Sequence, residues 1–243
     1  MKKIICVLSF TGKVGKSTFV NNVLAPRMPD AKIYRLETIN LSGKSETEVV
    51  QMKGKDIVKL QNALAKVESA IVDIGASNIE AFLLSLAQQP GAHLDYDCFV
   101  IPIEATDKKS DAIDEFLNLV KIMHDQGVEP ERVKVLFNKL PVGAELEYEM
   151  RKVFKAHEVQ GYFTLNKNAV ITDSPAFAAL SEVNKSFEAM CEDKTDYRSE
   201  FRATPVENEV RRLELTKLMR AQNSVKPVIM EFDTVFDVLF GEK

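Results

Sequence analysis

Residues 4–21 read IICVLSFTGKVGKSTFVN, and the fold turns on this stretch. Residues 4–8 are a short run of strand-forming side chains, and Gly12 and Gly15 punctuate a polar turn. Lys16, Ser17 and Thr18 then open a segment whose apolar residues Phe19, Val20, Val23 and Leu24 have helical spacing. Strand, glycine turn, Lys-Ser and helix is the layout of a phosphate-binding P-loop. Glycines let backbone N–H groups turn inward without a Cβ in the way, and with a helix N-terminus they form a nest of donors for phosphate oxygens. Lys16 adds a point charge at the β- and γ-phosphates, Ser17 offers a hydroxyl to Mg²⁺, and Thr18 is placed for another phosphate contact. Thr11, Gly12, Lys13, Val14 and Gly15 form the loop itself. Phe10 stands where the strict G-x-x-x-x-G-K-[ST] spacing wants its first glycine. The flanking strand and helix carry the assignment over a plain glycine turn with an exposed lysine.

Downstream the pattern alternates. Pro26 and Pro29 are expected to end the first helix, and residues 32–37 (KIYRLE) read as a second strand. Residues 38–48 are polar, a loop long enough beside a nucleotide site to be a switch-loop candidate. Helical spacing follows over 56–67, an apolar strand over 69–75 (SAIVDIG), and a helix over 79–89 closed by Pro90 and Gly91. A strand over 98–103, a helix over 111–124 and a strand over 133–137 leading into Asn138 and Lys139 continue the series. This predicts a doubly wound α/β fold, a mostly parallel sheet covered on both faces. Residues 145–157 read as helix, 162–164 with 169–171 as a last strand, and 174–189 as helix. Beyond Met190 the character changes: 192–205 are polar, 206–222 form a charged helix, and 232–240 are apolar again. The expected division is a nucleotide-binding domain over 1–190 and a C-terminal helical appendage over 191–243, either packed on the domain or a partner-binding tail.

Composition sets bounds. A chain of 243 residues can bury a substantial core, and 45% hydrophobic with 28% charged residues is ordinary for a soluble globular protein. A net charge of −4 gives no overall attraction to nucleic acid, so the average offers direct DNA contact no support. The start MKKIICVLSF has too short an apolar run for a signal peptide and no small-residue cleavage site. No later run nears the roughly 18 residues that cross a bilayer, so a cytoplasmic location is expected. Cys6, Cys98 and Cys191 are odd in number and far apart, which fits reduced buried thiols, and the dispersed histidines show no metal-ligand spacing.

Four further places could carry chemistry. Asp73 ends an apolar strand downstream of the P-loop, where an acid would hold Mg²⁺ directly or through water; the alternative is a helix cap, for which Asn78 is the better residue. Gly75 could present its N–H near the γ-phosphate. Glu37, at the end of the second strand, either orients the attacking water or is an exposed strand-end charge. Asn138 could hydrogen-bond a base edge; a guanine reader of the N-K-x-D type needs an acid three residues later, and here that position is Pro141, which favours ATP over GTP. Residues 107–110 (DKKS) lie on the same sheet edge, either near the ligand or as a solvated helix start.

With the P-loop, Asp73, the PIEATDKKS segment and Asn138 in this order, the chain resembles the ParA/MinD superfamily of P-loop ATPases, and within it the StbB-type plasmid stability proteins. The resemblance covers residues 1–190. It is strongest over FTGKVGKSTFVNNVLA and extends to SAIVDIG and CFVIPIEA. The superfamily's loop reads KGGxGK[ST], with a signature lysine that reaches the partner subunit's nucleotide; here Thr11 takes the lysine position and Lys13 the second glycine. The usual aspartate at the second strand's end is matched only by Glu37. The resemblance implies an ATP-hydrolysing switch in plasmid partition or stability, with a role in conjugative transfer also in view. It implies Mg²⁺ as cofactor, an ATP-dependent homodimer and a DNA-binding partner protein. Lys13 has two readings: a solvent-facing residue at a negative φ, or a displaced signature lysine whose charge is useful across the dimer. Two alternatives of other classes remain, a slow or inactive nucleotide-dependent adaptor and a small-molecule kinase. Against the kinase, Arg151 is isolated and no arginine-rich lid is legible.

Overall fold

Seven parallel strands form one sheet in the computed structural model, which describes residues 3–37, 49–52, 57–106, 108 and 110–241. They are β1 (Ile4–Val7), β2 (Lys32–Leu36), β3 (Val49–Met52), β4 (Ala70–Ile74), β5 (Cys98–Glu104), β6 (Val133–Leu140) and β7 (Val170–Thr172). The spatial order is β3-β2-β4-β1-β5-β6-β7, so β1 lies inside the sheet between β4 and β5. Period-two alternation assigns the faces. Cys6, Val72, Ile101 and Phe137 point into one apolar layer, and Ile5, Val7, Ile71, Val100 and Leu136 into the other.

Helices cover both layers, as expected for a doubly wound sheet. On the first lie α3 (Ile57–Leu64), α4 (Ile79–Gln88), α5 (Ser110–Asp125) and α7 (Arg151–Gln160), which contribute Leu60, Phe82, Leu119 and Val153; the short α6 (Leu146–Glu149) leads into α7. On the second lie a rod after the P-loop, then α8 (Ala176–Val183), α9 (Phe187–Glu192), α10 (Tyr197–Ala203) and α11 (Glu209–Phe240). The rod is α1 (Lys16–Phe19), a π-helical turn (Val20–Leu24) and α2 (Ala25–Arg27). Among the described residues no helix is long and apolar enough to cross a membrane.

Several boundaries differ from the sequence reading. The first helix runs past Pro26. That ring leaves the Asn22 carbonyl without its helical donor, and the Arg27 guanidinium supplies one, donating to Asn22 O at 3.1 Å and Val23 O at 3.0 Å. Residues 174–189 make two helices: Asn184 ends α8 in the left-handed region (φ 50°), and the Ser186 hydroxyl caps α9 by accepting from Ala189 N at 3.1 Å. Thr164 makes only an isolated bridge to Lys134, so β7 stands alone at the edge. The strand β3 has no counterpart in the sequence reading; residues 38–48, read there as a switch-loop candidate, and Asp107 and Lys109 lie outside the described residues.

The charged and apolar segments read separately near the C-terminus are one 32-residue helix that continues through Pro227. Leu215, Leu218, Ala221, Val225, Val228, Phe232, Val235 and Leu239 recur every three or four residues and are buried in the same layer as Ile5 and Val7. An interior proline costs about 3 kcal/mol, and each buried Val, Leu or Phe contributes about 1.5–3 kcal/mol, so burial wins. Glu231 fixes the helix to β7, accepting from Thr172 N at 3.0 Å and Thr172 Oγ1 at 2.7 Å. Val206, Val210 and Leu213 remain exposed. Cys6 and Cys98 are buried free thiols, Cys98 pushed up to about 11 by burial, whereas Cys191 is exposed.

Candidate functional site

The P-loop connects the C-terminal end of β1 to the rod, at the sheet edge where parallel α/β folds place ligands. Val7 lies opposite Asp73 on β4 and Val100 on β5, so the loop rises between two neighbouring strand ends. Gly15 caps the rod at φ 90°, a left-handed conformation, and a Cβ there would come within 2.1 Å of Asn138 Nδ2. Lys13 is also left-handed, at φ 62°, so the reading in which a negative φ makes its presence free of cost does not hold. Its side chain is exposed.

Lys16 is folded into the loop at 9% exposure, its Nζ donating to Ser9 O and Thr11 O at 3.3 Å each. Burial lowers its pKa and the Asp73 charge opposes that shift. Ser17 Oγ donates to Asp73 Oδ2 at 3.1 Å. Asp73 is 2% exposed; burial raises its carboxyl above the usual range against the pull of Arg35, the Ser17 hydrogen bond and Lys16, with Glu37 adding to the rise.

The Ser17 and Asp73 oxygens fit a magnesium ion. Octahedral Mg²⁺ at about 2.1 Å from its ligands puts neighbouring oxygens about 3.0 Å apart, close to the 3.1 Å between these two atoms. Both are hard oxygen donors. Among the described residues no cluster of three or more His, Cys, Asp or Glu side chains could cage a metal; Mg²⁺ characteristically takes one or two protein oxygens and completes its shell with water and phosphate.

Neighbouring strands buttress the loop. Asn138, 5% exposed at the end of β6, donates its amide to Val14 O at 2.7 Å. Lys139 Nζ donates to Lys13 O at 2.8 Å and lies 3.9 Å from Glu104 Oε2. Thr11 Oγ1 donates to Glu115 Oε2 on α5 at 2.5 Å. Glu115 also lines a cleft of about 460 Å³ with Phe10, Ala76, Ser77, Glu80 and Asn118. The Gly75 N–H is committed to Leu36 O at 2.9 Å, where a Cβ would meet the same oxygen at 2.8 Å, so this glycine closes the β4–β2 contact instead of facing a phosphate. Asn78 likewise donates to Leu36 O at 2.9 Å and makes no side-chain cap. Glu37 is half-buried beside Gly75.

The structure therefore brings Thr11 to Thr18, Asp73, Glu37 and Asn138 to one sheet edge. It adds Arg35, Glu115 and Lys139, which the sequence reading passed over. Arg35 was legible: within KIYRLE it follows Ile33 by two, so a charge occupies a core-facing strand position.

No protein-family model matches the sequence, and no curated protein matches it. Among solved structures, a plasmid partition protein from Borrelia burgdorferi B31 bound to AMPPNP is similar over 89% of this chain and 98% of that one, at 13% identity and a TM-score of 0.50. This chain has the fold of a plasmid partition protein. It is the doubly wound parallel α/β fold that the alternation of strands and helices predicts. The MinD cell division protein of Aquifex aeolicus aligns over 99% of this chain and 98% of its own at 13% identity with a TM-score of 0.49. The Cyanothece McdA ATP complex aligns over 99% and 97% at 11% identity with a TM-score of 0.47.

Proposed function

We propose that this chain is an ATP-dependent switch of plasmid partition or stability, binding Mg·ATP at the C-terminal edge of its sheet and hydrolysing it to ADP and phosphate. The observation that carries the proposal is the Ser17–Asp73 oxygen pair at 3.1 Å beside the buried Lys16. Catalysis here is positioning and charge stabilisation. The loop N–H groups and Lys16 hold the phosphates, Thr18 adds a contact, and Ser17 and Asp73 hold the metal. Mg²⁺ held by the Ser17 and Asp73 oxygens would supply positive charge to offset that of the phosphates. Glu37 orients the water, and Asn138 braces the loop through Val14 and is the candidate contact to the base edge. Residues 1–190 form the nucleotide-binding unit, with the C-terminal helices packed on it.

The finer reading is a StbB-like protein, cytoplasmic, that dimerises on ATP, works with a DNA-binding partner encoded alongside and serves conjugative transfer as well. Lys13 reaches the partner subunit's phosphates in this reading; its exposed side chain and its left-handed backbone support a useful charge. The adaptor alternative draws on Thr11, which carries no ammonium and is held by Glu115. Phosphate release from ATP, with and without DNA-bound partner, separates the two. Turnover that rises with partner and vanishes in Asp73→Asn supports the switch; none under any condition leaves the adaptor.

A further inference from the structure

We propose that Arg35 is a positioning residue that stands on the metal side of the Asp73 carboxylate and makes nucleotide binding by this chain only weakly dependent on Mg²⁺. The inference rests on the Mg·ATP site proposed above and concerns a residue that site does not use. Strand β2 pairs with β4 so that Ile33 lies opposite Ile71 and Arg35 opposite Asp73. The first couple is apolar and buried in the layer beneath the rod. The second couple, one step nearer the ligand edge on the same face, is a cation beside an acid.

The geometry directs that cation at the metal ligands. Arg35 Nη2 is anchored by Asn21 Oδ1 on the rod's π-helical turn. Its Nε is buried without a hydrogen-bond partner and lies 3.6 Å from Asp73 Oδ2. That oxygen is also the one that accepts from Ser17 Oγ, half of the pair that fits the ion. A guanidinium keeps its charge at every accessible pH, so a dication entering between Ser17 and Asp73 meets a fixed like charge a few ångströms away. At roughly 6 Å, two charges against one cost about tenfold in affinity even at the dielectric of water. The same charge attracts phosphate oxygens, so it supports the nucleotide as it opposes the ion.

The test is binding of a fluorescent ATP analogue to wild type, Arg35→Gln and Arg35→Lys, titrated from EDTA to saturating Mg²⁺. Wild type is expected to gain less than about tenfold in affinity across the titration. Arg35→Gln keeps an amide for Asn21 and removes the charge; its gain is expected to be about tenfold larger, with half-saturation at correspondingly lower Mg²⁺. Arg35→Lys should track wild type. A strict Mg²⁺ requirement in wild type overturns the inference, and that arm needs no variant to fold. A folded Arg35→Gln protein with the wild-type Mg²⁺ profile overturns it equally. If wild type binds no ATP at any Mg²⁺ level, the site reading falls and the inference with it; binding with the wrong metal profile removes only the role of Arg35.

Discussion

Replacing Gly15 with alanine should damage the protein far more than the same change at Gly12, although both glycines belong to one loop. At Gly15 the backbone is at φ 90°, and the new methyl carbon would lie 2.1 Å from Asn138 Nδ2. The left-handed conformation costs an alanine about 1–2 kcal/mol. The clash then drives the Asn138 amide off Val14 O, a 2.7 Å hydrogen bond in a side chain 5% exposed, and an orphaned buried polar group costs about 1–3 kcal/mol. The sum is about 2–5 kcal/mol, a melting decrease on the order of 10 °C for a chain of this size. At Gly12 nothing lies within 4 Å of the added carbon, so its melting should stay at wild type. Thermal melts of both variants check the contrast, and a double-mutant cycle with Asn138→Ala isolates the clash, because Gly15→Ala should cost less once that amide is gone. Equal melting of Gly15→Ala and wild type, or full additivity with Asn138→Ala, would refute the reasoning.

The Asp73 carboxyl lies above its usual range, so the folded chain holds that proton more tightly than the unfolded chain and stability falls as pH rises through the raised value. Asp73→Asn keeps an acceptor for Ser17; it should melt at or above wild type at neutral pH, with the gap closing in thermal melts as acidification protonates the Asp73 carboxyl of wild type, while Mg²⁺-dependent turnover is lost. Lys13→Gly should relieve the strain at φ 62° and stabilise the fold by about 1 kcal/mol in chemical denaturation, whereas Lys13→Ala should not. In sedimentation with Mg²⁺ and a non-hydrolysable ATP analogue, both Lys13 variants should dimerise less than wild type; equal dimerisation removes Lys13 from the interface. ATP should outcompete GTP in equilibrium binding, since Pro141 takes the place of a guanine-reading acid.

The strands that fix the fold were legible because both faces of the sheet are buried: SAIVDIG and CFVIPI are nearly continuous apolar runs, each bounded by polar residues. Phe10 did not hide the P-loop, since strand and helix on either side of it carry the signal. What stayed illegible depends on contacts distant in sequence. Thr11 and Glu115 are 104 residues apart, and no local pattern joins them. The four residues of β3 are too few for a period to show. Pro227 is locally a helix breaker, and the burial of Val225, Val228 and Phe232 outweighs it in α11. The break at Asn184 has a local signal in the asparagine and the Ser186 cap that follows it, but the apolar spacing runs on across it and masks that signal.

The most direct test is calorimetric titration of Mg·ATP into wild type and Lys16→Ala. Wild type is expected to bind one nucleotide per chain. Lys16→Ala should keep its fold by melting and lose at least about tenfold in affinity, since a hydrogen bond to a charged group contributes about 1.5–3 kcal/mol. No saturable binding by wild type, or equal affinity in a folded Lys16→Ala protein, would contradict the assignment of this loop as the nucleotide site.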